Sequence, residues 1–279
     1  MIDVRRADLH THTFYSDGHL SPLELVEKAR ASGLAAIAVT DHDTVSGIPE
    51  AQEAGRKLGV EVIAGIELSV TVGTKPIHLL GYFFDPEHEG LRTHCRAFRE
   101  SRLSRAGQIV ERLSKLGVEL AFEAVVDKSV GGVIGRPHIA QAMVEAGFAD
   151  SLQDAFQWYL GDGKPAYVPK PLFDAKAALA MLRDAGGISV LAHPGQWTAD
   201  ATIMTLVRMG LDGLETIHPA HDAVLTSYYR QLARDMGLAE TGGSDFHREG
   251  PDDQVGTVTV PYLWIEAARS RARVACVAV

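Results

Sequence analysis

Short continuous apolar runs recur along this chain, and nearly every one ends in a histidine or an acidic residue. Leu34-Ala35-Ala36-Ile37-Ala38-Val39 runs straight into Thr40-Asp41-His42-Asp43. An apolar run without alternation belongs to a strand buried on both faces, which is the habit of parallel sheets. The same pattern returns at 60–66, which ends at Glu67, and at 77–84, with His78 near its start. It returns again at 188–192 before His193-Pro194-Gly195, and shorter, more mixed strand-like stretches stand at 213–217 before His218-Pro219 and at 238–243 before Ser244-Asp245-Phe246-His247. Near the N-terminus stands Asp8-Leu9-His10-Thr11-His12. Two histidines one residue apart share a face of an extended backbone, so they could be half of a metal site or simply two surface residues. The recurrence of polar endings favours the metal site.

Helices fill the spaces between the runs. Ser21 can cap, Pro22 suits a first helical position and Glu24 completes a capping box. Leu25, Val26 and Ala29 then make an apolar stripe, and Gly33 fits the stop. Further helices are expected over 48–58, 175–185, 201–209 and 223–236. Such alternation predicts a parallel sheet with right-handed crossovers. About seven strands favour an α/β barrel, closed or nearly so, over an open doubly wound sheet, and no GxGxxG follows any strand. Between 90 and 176 only helical stretches are legible, at 103–116 and 137–146. The expected organisation is a barrel in two parts, 1–89 and 177–263, a helical insertion at 90–176, and a peripheral tail at 264–279. The tail, with Arg269, Arg271 and Arg273, lacks amphipathic order.

The 279 residues are 46% apolar, enough for a substantial core, and carry a formal net charge of −9. That charge argues against an extended nucleic-acid surface, which works by neutralising many phosphates. It leaves room for a small phosphorylated substrate, because bound divalent cations invert the local field. Cys95 and Cys276 offer no disulfide framework, and no leader or bilayer-length apolar run is present. A cytoplasmic protein without a membrane or an obligate protein partner is expected.

Barrel active sites are built at the C-terminal ends of the strands. Those ends and their loops carry His10, His12, Asp17, His42, Glu67, His193, Asp245 and His247, with His78 on the fourth strand. Clustering so many imidazoles and carboxylates is costly unless cations compensate, and one ion takes only about four to six ligands. Two or three divalent ions are therefore expected.

The segments DLHTHTFYSDG, VTDHD, GIELS, IHLLGY, LAHPG and GGSDFH resemble the polymerase-and-histidinol-phosphatase (PHP) family of metal-dependent phosphoesterases. The resemblance covers the chain to about residue 261. It implies a distorted (β/α)7 barrel with a bi- or trinuclear centre of manganese, iron or zinc, manganese foremost. By that resemblance His10, His12, Glu67 and Asp245 hold one ion, Glu67, His78 and His193 a second, and Asp17, His42 and His247 a third. Asp17, His42, Glu67, His193 and Asp245 are the catalytic set.

Length, insertion and the GRPHIA segment resemble small stand-alone bacterial members that act on nucleoside 3′,5′-bisphosphates or trim short RNA from its 5′ end. Arg136 and His138 then correspond to phosphate-binding groups, with Lys170 and His221 as further substrate contacts. Arg102 and Arg105 read as a solvated helix face. The expected reaction is hydrolysis of a phosphate monoester by a metal-bridging hydroxide. The rivals are a histidinol-phosphate phosphatase, a C–N bond amidohydrolase and a non-enzymatic PHP module.

Overall fold

The computed structural model describes residues 5–129, 133–170, 173–250 and 254–277, with side chains to Ala272. The chain begins with β1 (Arg6–Thr11), α1 (Pro22–Ala31), β2 (Ala36–Val39), α2 (Ile48–Leu58) and the hairpin β3 (Glu61–Val72) and β4 (Lys75–Tyr82). Helices follow: α3 (Glu89–Lys115), α4 (Phe122–Val126), α5 (Arg136–Glu145) and α6 (Leu152–Ala155), which runs on into one turn of π-helix, Phe156–Leu160. Alternation then resumes through α7 (Ala175–Asp184), β5 (Ile188–Leu191), α8 (Asp200–Met209), β6 (Gly213–Ile217), α9 (Ala223–Asp235) and β7 (Ala239–Gly242). A short β8 (Val260–Pro261) leads into α10 (Tyr262–Val277).

The sheet order is β7-β6-β5-β4-β3-β2-β1-β8. Parallel pairing joins β1 to β2, β2 to β3, β5 to β6 and β6 to β7. The barrel closes beside β1, where Thr11 bridges to Phe246 and the His12 N–H donates to the Phe246 carbonyl at 2.9 Å. The result is an α/β barrel of seven main strands, with β8 adding two residues antiparallel to β1.

Two departures from the sequence reading matter for function. β3 does not stop at Glu67 but continues to Val72 and turns back, so β4 is antiparallel to both β3 and β5. That reversal explains His78: a residue near the start of a reversed strand lies at the same end of the barrel as the last residues of the others. The second departure is the tail. Ile265, Ala268 and Ala272 of α10 are buried against the barrel core around Ala7, Ile63 and Ile188. Arg269 pairs with Glu61, and Arg271 donates to the Gly237 carbonyl at 2.7 Å. The stripe is mostly alanine, so it has little amphipathic signal, yet it packs across the barrel floor. The side chains of Arg273 and Cys276 lie outside the described residues.

The capping box of α1 forms, with the Ser21 hydroxyl accepting from the Glu24 N–H and the Glu24 carboxylate accepting from the Ser21 N–H. The helices from α3 to the π-turn share their own core around Ile109, Leu113, Ile139, Met143 and Leu160. This helical layer is tied to the hairpin at its exit, where the Thr71 N–H donates to the Phe173 carbonyl at 2.8 Å.

Candidate metal centre

The barrel end bearing the polar residues is held in shape by three buried aspartates. Asp8 accepts from the Ser244 N–H at 2.9 Å and the Ser244 hydroxyl at 2.6 Å, tying β1 to the loop that carries Asp245. Gly243 permits this contact, because a Cβ there would lie 2.3 Å from the His10 nitrogen. Asp41 accepts from Thr13 and Ser16, fixing the loop after β1. Asp43 accepts from Ser69 on β3 and from Arg102 on α3, the latter at 2.6 Å. Asp43, His193 and Asp245 all have positive φ, a strained backbone for residues other than glycine. Such strain persists only where surrounding bonds over-determine it, as they do here.

Glu67 is the hub. Its Oε2 lies 3.2 Å from His10 Nε2, 3.3 Å from His12 Nε2 and 3.2 Å from His42 Nδ1. Its Oε1 lies 2.8 Å from His78 Nδ1 and 2.9 Å from His193 Nε2. Burial opposes ionisation of Glu67, but the surrounding imidazoles hold its carboxyl well below the usual range. Asp245 behaves likewise, with its Oδ1 3.1 Å from His12 Nε2. Burial also opposes charge on His12, yet Asp245 and Glu67 lift its ring to about 10.

Ligand atoms converge in overlapping groups, each within 4.8 Å. One is His10, His12, Glu67 and Asp245; another is His12, Asp17, His42 and His247; a third is His42, Glu67 and His78. All nine residues anticipated as ligands are thus brought together. His193 joins through Glu67, and His12 stands in two groups.

Whether this is ion-binding chemistry can be tested on the atoms themselves. His42 Nδ1 and His78 Nδ1 are buried and make no hydrogen bond, although carboxylate oxygens lie at 3.2 and 2.8 Å. Those are hydrogen-bond distances without hydrogen-bond angles. Asp17 Oδ1 and His12 Nδ1 are equally unsatisfied. Buried polar atoms left unpaired cost about 1–3 kcal/mol each, so several around one space argue for a cation there. His247 fits the same logic, since its Nδ1–H donates to the Asp245 carbonyl at 2.8 Å and leaves the Nε2 lone pair facing Asp17.

Two residues escaped the sequence reading. Glu215 on β6 accepts from His10 Nδ1 at 3.0 Å and from the His193 N–H at 2.6 Å. His218, just past β6, reaches Asp245 Oδ2 at 3.3 Å, and His10, Glu215 and His218 form a further convergent group. His218 had a usable signal, because it ends its strand as His193 does.

The expected substrate contacts separate. Arg136 and Lys170 line one cavity of about 410 Å³ together with Ser69 and His78. His138, two residues along α5, lines a different cavity of about 640 Å³ that borders Asp17 and His247. His221 faces neither: its Nε2 accepts from the Gly195 N–H at 3.1 Å, and its Nδ1 lies 3.2 Å from the Thr216 carbonyl. Both nitrogens are used within the protein, so His221 positions the loop after β5 rather than meeting substrate.

Arg102 and Arg105 are not solvated. Their relative exposures are 7% and 5%, and Arg105 Nε donates to the Val168 carbonyl at 2.7 Å. Arg102 Nε and Arg105 Nη2 are buried without hydrogen-bond partners.

A barrel whose strand ends converge on shared imidazole and carboxylate groups defines a class, the hydrolases that work through bound metal ions. The chain belongs to the PHP domain family, whose model matches residues 8–161, and it is a phosphoesterase of that family. A 5′-3′ exoribonuclease of Haemophilus influenzae is 35% identical over 254 residues, 88% of this chain and 90% of that protein. A 3′,5′-nucleoside bisphosphate phosphatase of Chromobacterium violaceum is 32% identical over 249 residues, 87% of each. A solved structure from Bifidobacterium adolescentis, described as a metal-dependent phosphoesterase, superposes with a TM-score of 0.89 and 32% identity over 96% of both chains.

Proposed function

We propose that the enzyme removes the 3′-phosphate of nucleoside 3′,5′-bisphosphates and trims 5′-phosphorylated short RNA from its 5′ end. One observation carries this reading: a cationic pocket opens directly beside the candidate metal centre. Arg136 and Lys170 line it next to His78, with the buried Arg102 and Arg105 close behind. Of the nearby negative charges, Asp43 is already paired with Arg102, Asp162 pairs with Arg136 at 2.6 Å, and Glu67 lies behind His78 among the imidazoles. A site for one phosphate lies next to a site for another, and the names of the two relatives accord with a substrate bearing both.

The donors suit two or three divalent ions, manganese first among them, since His, Asp and Glu accept manganese, iron and zinc. His10, His12, Glu67 and Asp245 would hold one, Glu67, His78 and His193 a second, and Asp17, His42 and His247 a third, with Glu215 and His218 beside them. Ions held there supply an activated water and neutralise charge on the reacting phosphate. Asp17, His42, Glu67, His193 and Asp245 do the catalytic work by fixing that arrangement. The insertion at 90–176, set between the barrel portions 1–89 and 177–263, supplies Arg136 and Lys170 for the second phosphate, with Arg102 and Arg105 adding positive charge behind them. The setting is a cytoplasmic one.

Turnover of adenosine 3′,5′-bisphosphate, a 5′-phosphorylated dinucleotide, histidinol phosphate and a cyclic amide tests the reading. The first two should lead by an order of magnitude or more. Histidinol phosphate as the best substrate, or the amide, would overturn it, because neither carries a second phosphate for the cationic pocket.

A further inference from the structure

The larger cavity, on the Asp17 and His247 side of the centre, has no part in the reaction as described so far. At about 640 Å³ it falls within the range of ~300–1,000 Å³ usual for small-molecule sites. Its lining differs in kind from that of the cationic pocket. Two half-buried rings enter it from separate parts of the chain, Phe14 after β1 and Phe156 from the π-helical turn, with Leu152 beside them. Gln141 and Gln153 bring amides that both donate and accept. His138 brings a donor of fixed identity. Its Nδ1 accepts the Gly135 N–H at 2.9 Å, so the proton of the neutral ring is on Nε2. Lys128, on the same wall, is already paired with Glu145.

Arg248 and His19 also stand on this lining, but aromatic faces with a mixed set of donors and acceptors suit a flat heteroaromatic group better than a bare anion. We propose that this cavity holds the nucleobase of the 5′-terminal nucleotide, stacked on Phe14 and Phe156, with Gln141, Gln153 and His138 meeting its edge. The inference rests on the nucleotide reading above and adds where the base is recognised. The first turn of α5 divides the two pockets: Arg136 faces one, and Pro137 and His138 face the other. Phe156 serves both, because the Arg136 guanidinium lies 5.6 Å from its ring centre. A ribose near that turn would send its base one way and its 5′-phosphate the other. Stacking tolerates every base, so the site selects nucleotides without reading sequence.

Calorimetric binding of adenosine 5′-monophosphate and of ribose 5-phosphate to the metal-loaded enzyme separates base from phosphate without any turnover. Adenosine 5′-monophosphate should bind roughly 5- to 150-fold more tightly, the worth of one stacked base. Phe14→Leu should shrink that ratio by several-fold toward one while leaving ribose 5-phosphate affinity alone. Gln153→Ala, at an exposed position that does not threaten folding, should shrink it less. A wild-type ratio near one, or equal loss of both ligands in both variants, would overturn the proposal even if the bisphosphate is hydrolysed. A clear ratio without bisphosphate hydrolysis would instead sink the functional reading and leave the base site standing.

Discussion

Glu215 Oε1 lies 3.0 Å from His10 Nδ1, on the far side of the imidazole from Glu67. With the Nδ1 proton donated to Glu215, the Nε2 lone pair of His10 points at Glu67 and Asp245. The other Glu215 oxygen accepts the His193 N–H at 2.6 Å, so a single carboxylate from β6 orients two members of the centre. Partners of this sort typically account for about 10- to 100-fold in metal affinity or activity. Glu215→Gln should therefore lower metal affinity or kcat by that factor without changing KM for the phosphorylated substrate. Metal titration with parallel kinetics checks it.

Glu67 approaches five histidines with its two oxygens, so it can bridge ions. Glu67→Gln should lose more than one metal equivalent and nearly all turnover, read by elemental analysis and kcat. Wild-type metal content in this variant would remove Glu67 from its central place.

The centre draws on β1, β3, β4 and the loops after β1, β2, β5 and β7, so bound ions should knit the barrel as well as serve the reaction. Chelation should abolish activity and lower Tm, since a ligand that binds only the folded state adds about 2.7 kcal/mol at 100 times its Kd. Unchanged activity after thorough stripping would refute a metal-dependent mechanism.

Arg136 tests the second phosphate. A charge-assisted contact is worth about 1.5–3 kcal/mol, or roughly 10- to 150-fold in kcat/KM. Arg136→Ala should cost adenosine 3′,5′-bisphosphate that much and p-nitrophenyl phosphate far less. Equal losses would place Arg136 at the reacting phosphate.

The pH dependence of KM should report Lys170. Burial, with repulsion from Arg102, pushes its ammonium down to about 8, with Arg105 and Arg136 adding to the repulsion and Asp43 opposing it. The charged form exists below that value, so the phosphate contact is present at pH 7 and fades as pH rises past 8. Phosphate itself is already doubly ionised there, its second pKa being about 6. KM for the bisphosphate should rise about tenfold between pH 7 and 9. Lys170→Met should raise KM at pH 7 and flatten the profile.

Much of this molecule was legible in local pattern. Continuous apolar runs marked the strands, Ser21-Pro22-Leu23-Glu24 marked a helix start, and polar strand endings marked seven of the nine side chains that the fold gathers, Asp17 lying in a loop and His78 near the start of its strand. These features depend on neighbours a few residues away, and periodicity records such neighbours directly. Other features required the assembled barrel. The β3–β4 hairpin reverses one strand and so delivers His78 from its beginning, a matter of which strands pair. Arg102 and Arg105 lie on one stripe of α3 with Phe98, Ile109 and Leu113, all buried. That spacing was visible, but what tolerates guanidinium groups in a buried stripe is Asp43 and the Val168 carbonyl, brought from distant parts of the chain. Glu215 and His218 join the centre only because β6 lies beside β7. Arg136 and His138 are two residues apart on a helix, so their side chains diverge around its axis into separate pockets. Sequence alone determined which residues stand at the strand ends. Tertiary structure decided which of them share a space, because burial and charge compensation are properties of the whole packed barrel.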